Sequence, residues 1–364
     1  MTGEFQPLQS NGIWSLVPRP NHQNIIHNKW VYRIKQRVNG SMERFKARLV
    51  AKGFEQKCGL DYTEAFSPVI KPSTTRILLS LVVRFEWNIR QLDVSNAFLH
   101  GKLSENVFME QPRGFVDPLH PNFVCKLHKA LYGLKQAFRA WFNRLSSYLL
   151  ELGFTASLVD SSLFIMHHGF KPIFILVYMD DIIITGPDVN SIHTLITKLQ
   201  VEFPLKDLGP LHFFLGIEVS QTTNGLHLCQ AKYISDLLHR TNMQGAKPAK
   251  SPCSFGLQLS KSDGEPPPYP TEYRHVVGSL QYCTLTSLRF PSLSINFVSM
   301  SITQPLPIYL LPNEFFHTSS PLQIMVYSSP KALYTSLPTV TVIGQEVQMI
   351  VDHPRALLSS LAVT

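Results

Sequence analysis

The sequence predicts an α+β fold, and three observations support this. Strand-like and helix-like segments are interleaved along the chain, but without the regular strand–helix–strand rhythm of a doubly wound sheet. Asn39-Gly40 separates two strand-like runs, which is a strong signal for a β-hairpin. Asp180 and Asp181 interrupt a long apolar run, which predicts a second hairpin with the acids at its tip.

The other elements follow from the same patterns. Strands are predicted at Trp30–Val38, Met42–Val50, Asn88–Val94, Phe123–Leu127, both arms of Ile173–Thr185, Leu211–Ser220 and Leu226–Cys229. Helices are predicted from a Ser73 cap to Val82, and at Ala137–Leu150, Ser191–Phe203 and Ala231–Thr241. The stretch between Val94 and Phe115 is expected to be turn-rich, and residues 261–273 are expected to form a linker or exposed loop.

Composition limits the classes of function. The 364 residues suffice for two or three compact units, and 44% hydrophobic with 16% charged residues indicates a globular core. A net charge of +8 and a pI near 9.2 favour a polyanionic partner, although an ordinary basic protein is equally compatible. Five dispersed cysteines without C-x-x-C spacing argue against a disulfide framework or a zinc site. No secretory signal or membrane span is readable, so an intracellular protein without a membrane is expected.

The first hairpin is strongly basic. Cations outnumber acids there, with only Glu43 and Glu55 between residues 28 and 57. The basic residues are Lys29, Arg33, Lys35, Arg37, Arg44, Lys46, Arg48, Lys52 and Lys57. Partial alternation with apolar residues lets one face pack while the other presents cations. The hairpin is therefore either a grip on backbone phosphates or merely a solvated charged surface.

The second hairpin carries the central chemical signal. Two adjacent carboxylates between buried strand arms raise each other's pKa unless a cation compensates. Asp93 ends another apolar strand and could face the hairpin tip across a sheet. Three carboxylates from two strands can hold two Mg²⁺ or Mn²⁺ ions roughly 3.5–4 Å apart, which suits nucleotidyl transfer. The plain alternatives are a polar Asp-Asp turn and an ordinary acid at a strand end.

Eight segments together resemble the reverse transcriptase of copia-type long-terminal-repeat retrotransposons. They are NKWVYRIK, RFKARLVAKGF, DYTEAFSPV, QLDVSNAFLHG, VCKLHKALYGLKQAFRAWF, VYMDDIIITG, DLGPLHFFLGIEV and YRHVVGSLQY. They cover roughly residues 12–290. YMDD together with QLDVSNAFLHG is highly specific, and KARLVAKG is nearly as informative.

The resemblance implies a right-hand polymerase fold in a reverse transcriptase domain over residues 12–255. Its fingers would span about 28–70, its palm about 71–220 and the start of its thumb about 221–255, followed by a thumb or connection remnant at 256–311. The implied activity is RNA-directed DNA synthesis with two Mg²⁺ or Mn²⁺ ions, an RNA or DNA template–primer and deoxynucleoside triphosphates. The expected location is the cytoplasm, within a virus-like particle, or the nucleus.

The resemblance also implies roles for individual residues. Asp93, Asp180 and Asp181 match the metal-binding and catalytic triad. The implied nucleotide-binding residues are Lys46, Arg48, Phe98, Tyr132 and Gly133, and the implied primer- or template-binding residues are Tyr178, Met179, Phe213, Leu215 and Gly216. Phe98 would crowd a ribose 2′-hydroxyl, although core packing also explains a phenylalanine there. Gly133 is equally compatible with a simple turn glycine.

The sequence departs from the family pattern in two places. Phe138 stands where the family usually has proline or a small residue, and no RNase H domain is readable after the thumb. From about residue 312 the chain has few charges and no clear periodicity. If the codons for Pro338–His353 are read from the third base of each codon, they permit the amino-acid string YSDSDWAGSPDDRRP. This string resembles the start of the missing RNase H domain. We therefore expect a frameshift near residue 312 and a disordered tail over 312–364 without a defined domain.

Two other functions compete with a working polymerase. The chain could be an inactive relic that still binds nucleic acid through its basic hairpin. A metal-dependent nuclease also uses paired carboxylates, but it does not explain Phe98, the LYGLKQ segment or the basic hairpin. The sequence does not fix the oligomeric state.

Overall fold

A computed structural model describes most of the chain up to residue 242 and shorter segments beyond it. The described residues are 2–36, 41–167, 171–222, 225–242, 244, 270–283, 323–327, 339–342 and 345–348. They belong to two compact units: Met1–Lys71 with Asn88–Gly209, and Pro72–Trp87 with Pro210–Leu357. Within these residues, every helix is too short or too polar to cross a bilayer.

The elements confirm a mixed α/β architecture. The helices are α1 (Thr2–Ser10), α2 (Pro72–Phe85), α3 (Ala137–Glu151), α4 (Val189–Glu202), α5 (Ala231–Arg240) and α6 (Pro270–Cys283). The strands through residue 166 are β1 (Trp14–Val17), β2 (Ile25–Ile26), β3 (Asn28–Gln36), β4 (Met42–Ala51), β5 (Asn88–Val94), β6 (Lys102–Met109), β7 (Val124–Lys129), β8 (Thr155–Ala156) and β9 (Leu163–Met166). The later strands are β10 (Ile173–Tyr178), β11 (Asp181–Gly186), β12 (Leu205–Pro210), β13 (Phe213–Phe214), β14 (Ile217–Thr222), β15 (Gly225–Cys229), β16 (Gln323–Tyr327), β17 (Thr339–Val342) and β18 (Gln345–Gln348).

The main sheet of the first unit has the order β12-β5-β11-β10-β9-β8. Its centre is the β10–β11 hairpin, whose arms are almost wholly apolar and buried. Helices α3 and α4 contribute Trp141, Leu145, Ile192 and Leu199 to the same core. Because both arms of the hairpin have strand neighbours and a covered face, packing fixes the position of its tip.

A second core in this unit supports the basic hairpin. The sheet β1-β7-β6-β2 and the loop before α3 pack with Leu8 of α1 and with Leu49 and Ala51 of β4. Strands β3 and β4 pair only with each other among the described residues, with Asn28 opposite Ala51 and Ile34 opposite Phe45. The hairpin is therefore rooted at its base, while its distal part is exposed.

The second unit is built on the sheet β13-β14-β15-β16-β17-β18. Helices α5 and α6 share a small core of Leu237, Leu280 and Cys283. Strands β16 to β18 fall in the segment for which the sequence predicts no defined domain. That prediction concerns the whole of 312–364, most of which lies outside the described residues.

Several sequence predictions agree with the structure. The β3–β4 hairpin, β5, the β10–β11 hairpin, α3, α4, β15 and α5 lie where the sequence places them to within a few residues. The Asn39-Gly40 turn lies outside the described residues. Cys58, Cys125, Cys229 and Cys283 are free thiols, as expected, and Cys253 also lies outside the described part.

Other predictions were wrong in detail. Pro72 is the first residue of α2, so Ser73 lies inside the helix and does not cap it, because proline suits the first helical position. The supposedly turn-rich stretch contains β6, whose polar first half hides its strand character. The predicted strand Leu211–Ser220 folds back at Leu215-Gly216 into β13 and β14, since both turn residues have positive φ. Residues 270–273, expected in a linker, form the first turn of α6.

Candidate active site

The predicted carboxylates come together at one end of the main sheet. Asp181 is the first residue of β11 and lies directly opposite Asp93 of β5. Tyr178 ends β10 opposite Asp181, so Met179 and Asp180 form a two-residue turn. The prediction that Asp93 faces the hairpin tip across a sheet is confirmed.

Two hydrogen bonds hold this turn. The indole Nε1 of Trp141 donates to the Met179 carbonyl oxygen at 2.7 Å. The Val94 amide donates to the Asp180 carbonyl oxygen at 2.9 Å, which ties the turn to β5. Met179 has a φ of 54°, a left-handed conformation that methionine rarely adopts, so these bonds fix a strained turn. As a result, the carboxylates rest on a rigid backbone.

Burial and mutual repulsion disfavour negative charge at this site. Burial is the main cause that raises the pKa of Asp181 to about 6; a hydrogen bond from Gln91 opposes the rise, and the charges of Asp180 and Asp93 add to it. The Gln91 Nε2 donates to Asp181 Oδ1 at 3.3 Å. Burial and the charge of Asp180 also raise the pKa of Asp93, while Lys206 and Lys46 lower it. Partly buried like charges of this kind favour a bound cation.

The donor set fits Mg²⁺ or Mn²⁺, because hard divalent ions prefer carboxylate oxygens. Over the described residues, however, no three His, Cys, Asp or Glu side chains are gathered as a ready-made metal site. The structure thus pairs Asp93 with Asp181 and places Asp180 beside them. Their joint ligation of metal ions stays a prediction.

Three of the predicted nucleotide-binding side chains form a connected group. The Arg48 guanidinium carbon lies 5.0 Å from the centre of the Tyr132 ring. The Phe98 ring meets Tyr132 edge to face with centroids 5.5 Å apart, and it meets Phe138 at 4.6 Å. The Tyr132 hydroxyl donates to Asn96 Oδ1 at 3.2 Å. Phe138, the departure from the family pattern, is therefore accommodated by packing on Phe98.

The basic hairpin has two chemically different faces. Directly opposed residues share a face, and Arg33 lies opposite Lys46, next to the pair Val31–Arg48. The other face carries Ile34 opposite Phe45, which are 55% and 72% exposed. Like charges placed opposite each other repel, and a bound anion would relieve this repulsion.

Gly133 has a backbone role that the structure explains. Its φ is +90°, and a Cβ there would lie 2.1 Å from the Ala51 carbonyl oxygen. The neighbouring Tyr132 carbonyl accepts a 2.8 Å hydrogen bond from the Ala51 amide. Gly133 thus lets the loop that bears Tyr132 lie directly against β4.

Helix α1 brings an acid to the predicted nucleotide-binding cations. It packs on β4, and Leu8 is 2% exposed within the core that contains Leu49. Burial raises the pKa of Glu4, and the charges of Lys46 and Arg48 oppose that rise. The carboxylate of Glu4 therefore shares the electrostatic environment of both cations.

The remaining predicted contacts are divided between the units. Tyr178 and Met179 lie at the carboxylate turn, and Met179 is 42% exposed. Phe213, Leu215 and Gly216 form the β13–β14 turn of the second unit. Phe213 is 46% exposed and Phe214 is 2% exposed, so the turn presents one ring and buries the other.

Sequence reasoning missed four residues that shape this site. Gln91, Lys206 and Glu4 each act on an acid or a cation far away in the chain, and Trp141 donates to the Met179 carbonyl of the acidic turn. Trp141 and Gln91 both lie within segments that resemble the family. In the sequence, however, Trp141 looks like an ordinary core residue and Gln91 like an ordinary strand residue. Only the fold reveals what their polar atoms contact.

Known proteins similar in sequence to this chain show its family. Residues 11–254 match the family model described as reverse transcriptase (RNA-dependent DNA polymerase). The chain is 50% identical over 287 residues to a retrovirus-related Pol polyprotein from transposon RE1 of Arabidopsis thaliana, covering 79% of the chain and 20% of that protein. It is 38% identical over 316 residues to the corresponding polyprotein from transposon TNT 1-94 of Nicotiana tabacum, covering 84% of the chain and 24% of that protein.

A third relative, the polyprotein from transposon RE2 of Arabidopsis thaliana, is 47% identical over 308 residues, with 84% of the chain and 21% of the relative covered. The chain thus spans between a fifth and a quarter of the length of these relatives. The family match covers more than half of the chain and includes both hairpins and the carboxylate site. The chain belongs to the reverse transcriptase family of copia-type retrotransposon Pol polyproteins.

Proposed function

We propose that this chain is an RNA-directed DNA polymerase that extends a primer 3′-hydroxyl with deoxynucleotides. The observation that carries the proposal is the pairing of Asp93 with Asp181 across β5 and β11, beside Asp180 in a rigid turn. Family membership supports the reaction class, and the acid pair supports its chemistry.

Asp93, Asp180 and Asp181 would hold two Mg²⁺ or Mn²⁺ ions. When bound, such ions supply charge stabilisation at the attacking and leaving oxygens. The chain's own contribution is placement, because Trp141 and the Val94 amide fix the turn and Gln91 orients one oxygen of Asp181. Little covalent chemistry is left for the protein.

Arg48 and Lys46 would bind the triphosphate of the incoming nucleotide. The guanidinium of Arg48 lies over the ring of Tyr132, and the ring of Phe98 packs edge to face against Tyr132. The half-buried Phe98 would exclude a ribose 2′-hydroxyl and so favour deoxynucleotides. Gly133 contributes through the backbone by letting Tyr132 approach β4.

The right-hand arrangement is part of the same proposal. The basic hairpin would belong to the fingers, the main sheet to the palm, and residues 221–255 to the start of the thumb. Tyr178 and Met179, together with the turn formed by Phe213, Leu215 and Gly216, would contact the primer or template. The tail after about residue 312 would be a frameshifted segment, and sequencing of the gene for an RNase H frame downstream would test this.

The whole polyprotein would act on an RNA or DNA template–primer in the cytoplasm, in a virus-like particle, or in the nucleus. Within it, this chain would supply the synthesis step. Backbone contacts would dominate its binding, so affinity should fall steeply with salt and depend little on sequence.

Primer extension on poly(rA)–oligo(dT) with dTTP tests the proposal. The full chain should extend the primer only with Mg²⁺ or Mn²⁺, and Asp180→Ala should abolish extension while leaving duplex affinity within about twofold. Glu151→Gln, which removes an exposed carboxylate at the end of α3, is the matched control and should extend normally. Metal-independent extension, or equal loss in both variants, would contradict the proposed site.

A nucleic-acid binder without catalytic activity is the second candidate. The observation that favours it is the basic face of the β3–β4 hairpin, where Arg33 opposes Lys46 independently of the carboxylates. A folded wild-type chain that binds duplex in a salt-dependent manner but never extends a primer would establish this reading.

A further inference from the structure

The β13–β14 turn contains backbone that needs external support. Leu215 and Gly216 have φ values of 50° and 65°, as a two-residue hairpin of the primed type requires. Glycine adopts this conformation readily, but leucine rarely does. Contacts from elsewhere in the second unit must therefore stabilise Leu215.

Tyr282 of α6 supplies that support. Its hydroxyl donates a hydrogen bond to the Leu215 carbonyl oxygen. Its ring lies so close to Gly216 that a Cβ at this position would be 3.2 Å from the Tyr282 Cε1. Glycine is thus favoured at position 216 both by its φ and by the ring that covers it.

Tyr282 is itself held by helix α5 and the residue that precedes it. The ring centroids of Tyr282 and Tyr233 are 5.0 Å apart, and the Tyr233 hydroxyl donates to the Ser279 carbonyl oxygen at 3.3 Å. The fully buried Gln230 donates through Nε2 to the Tyr282 carbonyl oxygen at 3.4 Å. The α5–α6 pair therefore forms a platform beneath the turn.

The supported turn presents a specific surface. Phe214 is buried, with 2% of its surface exposed, while the adjacent Phe213 remains 46% exposed. Phe213 lies opposite Glu218 across this two-residue turn, so the backbone conformation of Leu215 and Gly216 joins its strand to β14. A hydrogen bond that fixes the Leu215 carbonyl consequently also helps to fix the backbone position from which the exposed ring projects.

We propose that Tyr282 is a positioning residue that, through the Leu215 carbonyl, sets the conformation of the 213–216 turn for contact with the primer. The inference rests on the proposed polymerase function, because that function gives the turn its partner. Tyr282 would act through the turn and would not itself touch the nucleic acid.

The test compares Tyr282→Phe with Tyr233→Phe in the full chain. Each variant removes one hydroxyl from a pair of neighbouring rings whose planes are tilted by 52°, but only the first breaks the bond to Leu215. Tyr282→Phe should raise the KM for the template–primer about three- to tenfold, as expected for one lost hydrogen bond, with an unchanged KM for dTTP. Tyr233→Phe should leave both values within about twofold. Equal effects of the two variants, or a shift in the dTTP value alone, would overturn the inference.

Hydrogen exchange separates failure of the inference from failure of the proposed function. If the wild type extends no primer, the polymerase proposal fails, but amide exchange of residues 213–217 still reports on the support. Faster exchange there in Tyr282→Phe, and not in Tyr233→Phe, would retain the positioning role. Unchanged exchange would refute it whatever the activity.

Discussion

The two hairpins of the first unit share a topology but differ in burial and in charge. The β10–β11 hairpin lies between β9 and β5, its arms are buried, and only its tip is polar. The β3–β4 hairpin pairs only with itself among the described residues, and it is exposed over most of its length. Packing therefore fixes the acids rigidly, whereas the cations are held mainly through the base of their hairpin. Carboxylates that hold metal ions must be placed rigidly, whereas side chains that bind phosphates need positive charge and an exposed position.

The difference between the two hairpins predicts that the largest effect on primer extension comes from a substitution at the acidic site. Asp93→Asn should reduce the rate of primer extension at least about a thousandfold, because it removes one member of a group that acts as a unit. Duplex affinity should change less than about twofold. Arg33→Ala in the basic hairpin should do the reverse, weakening duplex binding and lowering its salt dependence while the rate at saturation is retained. Single-turnover extension and fluorescence anisotropy would measure the two effects. If both variants lost rate and affinity equally, the division between the hairpins would be wrong.

Stability should also separate the two hairpins. Trp141→Ala should lower the free energy of unfolding by about 3–5 kcal/mol, because the indole is 1% exposed and also holds the acidic turn. Phe45→Ala should cost less than about 0.5 kcal/mol, since that ring is 72% exposed. Urea unfolding followed by circular dichroism measures both. A comparable cost for Phe45 would show that the basic hairpin is packed on both faces.

A pH effect should appear at Asp181 in the absence of divalent ions. Its folded pKa is raised from 3.8 to about 6, so the protonated form contributes stability below pH 3.8, and this is lost as pH rises through 6. With chelator present, Asp181→Asn should gain about 1 kcal/mol over the wild type between pH 5 and pH 8, after allowance for solvent screening. The asparagine keeps an oxygen for Gln91. Urea unfolding at both pH values measures the gain, and a constant difference between the two proteins would argue against charge repulsion at the site.

The smallest effect is expected where α1 meets the basic hairpin. Glu4→Gln should lower the KM for dTTP about two- to threefold, because it removes a carboxylate that competes with the triphosphate for Lys46 and Arg48. Gln6→Ala, an exposed position on the same helix, is the matched control. Steady-state extension at varied dTTP would detect the change. A higher KM in Glu4→Gln would mean that Glu4 orients the cations instead of competing with substrate.

The contrast also explains how far sequence reasoning reached. The β10–β11 hairpin and β5 were predictable because their apolar runs are continuous and the acids interrupt them at one point. Strand β6 was missed because Ser104, Glu105 and Asn106 give it the composition of a turn. Helix α1 was not predicted either, because it contains Pro7 and its nine residues show little separation of apolar and polar faces.

Within the site, the charged residues and glycines were predictable from motifs, but their supports were not. Trp141 reads as a core residue until its Nε1 is seen on the Met179 carbonyl. Glu4 and Arg48 are separated by more than forty positions in the chain, and only the packing of α1 on β4 relates them. Contacts of this kind depend on tertiary structure, so they cannot be predicted from the local sequence pattern.

Mn²⁺ binding tests the central claim most directly, because it examines the carboxylates without requiring a working template or primer. Titration of the full chain with Mn²⁺, followed by electron paramagnetic resonance of the free ion, should show saturable binding. Asp93→Asn and Asp180→Ala should each weaken that binding at least about tenfold, while Glu151→Gln should bind like the wild type. Equal Mn²⁺ affinity in all four proteins would contradict the assignment of Asp93, Asp180 and Asp181 as one metal-holding group.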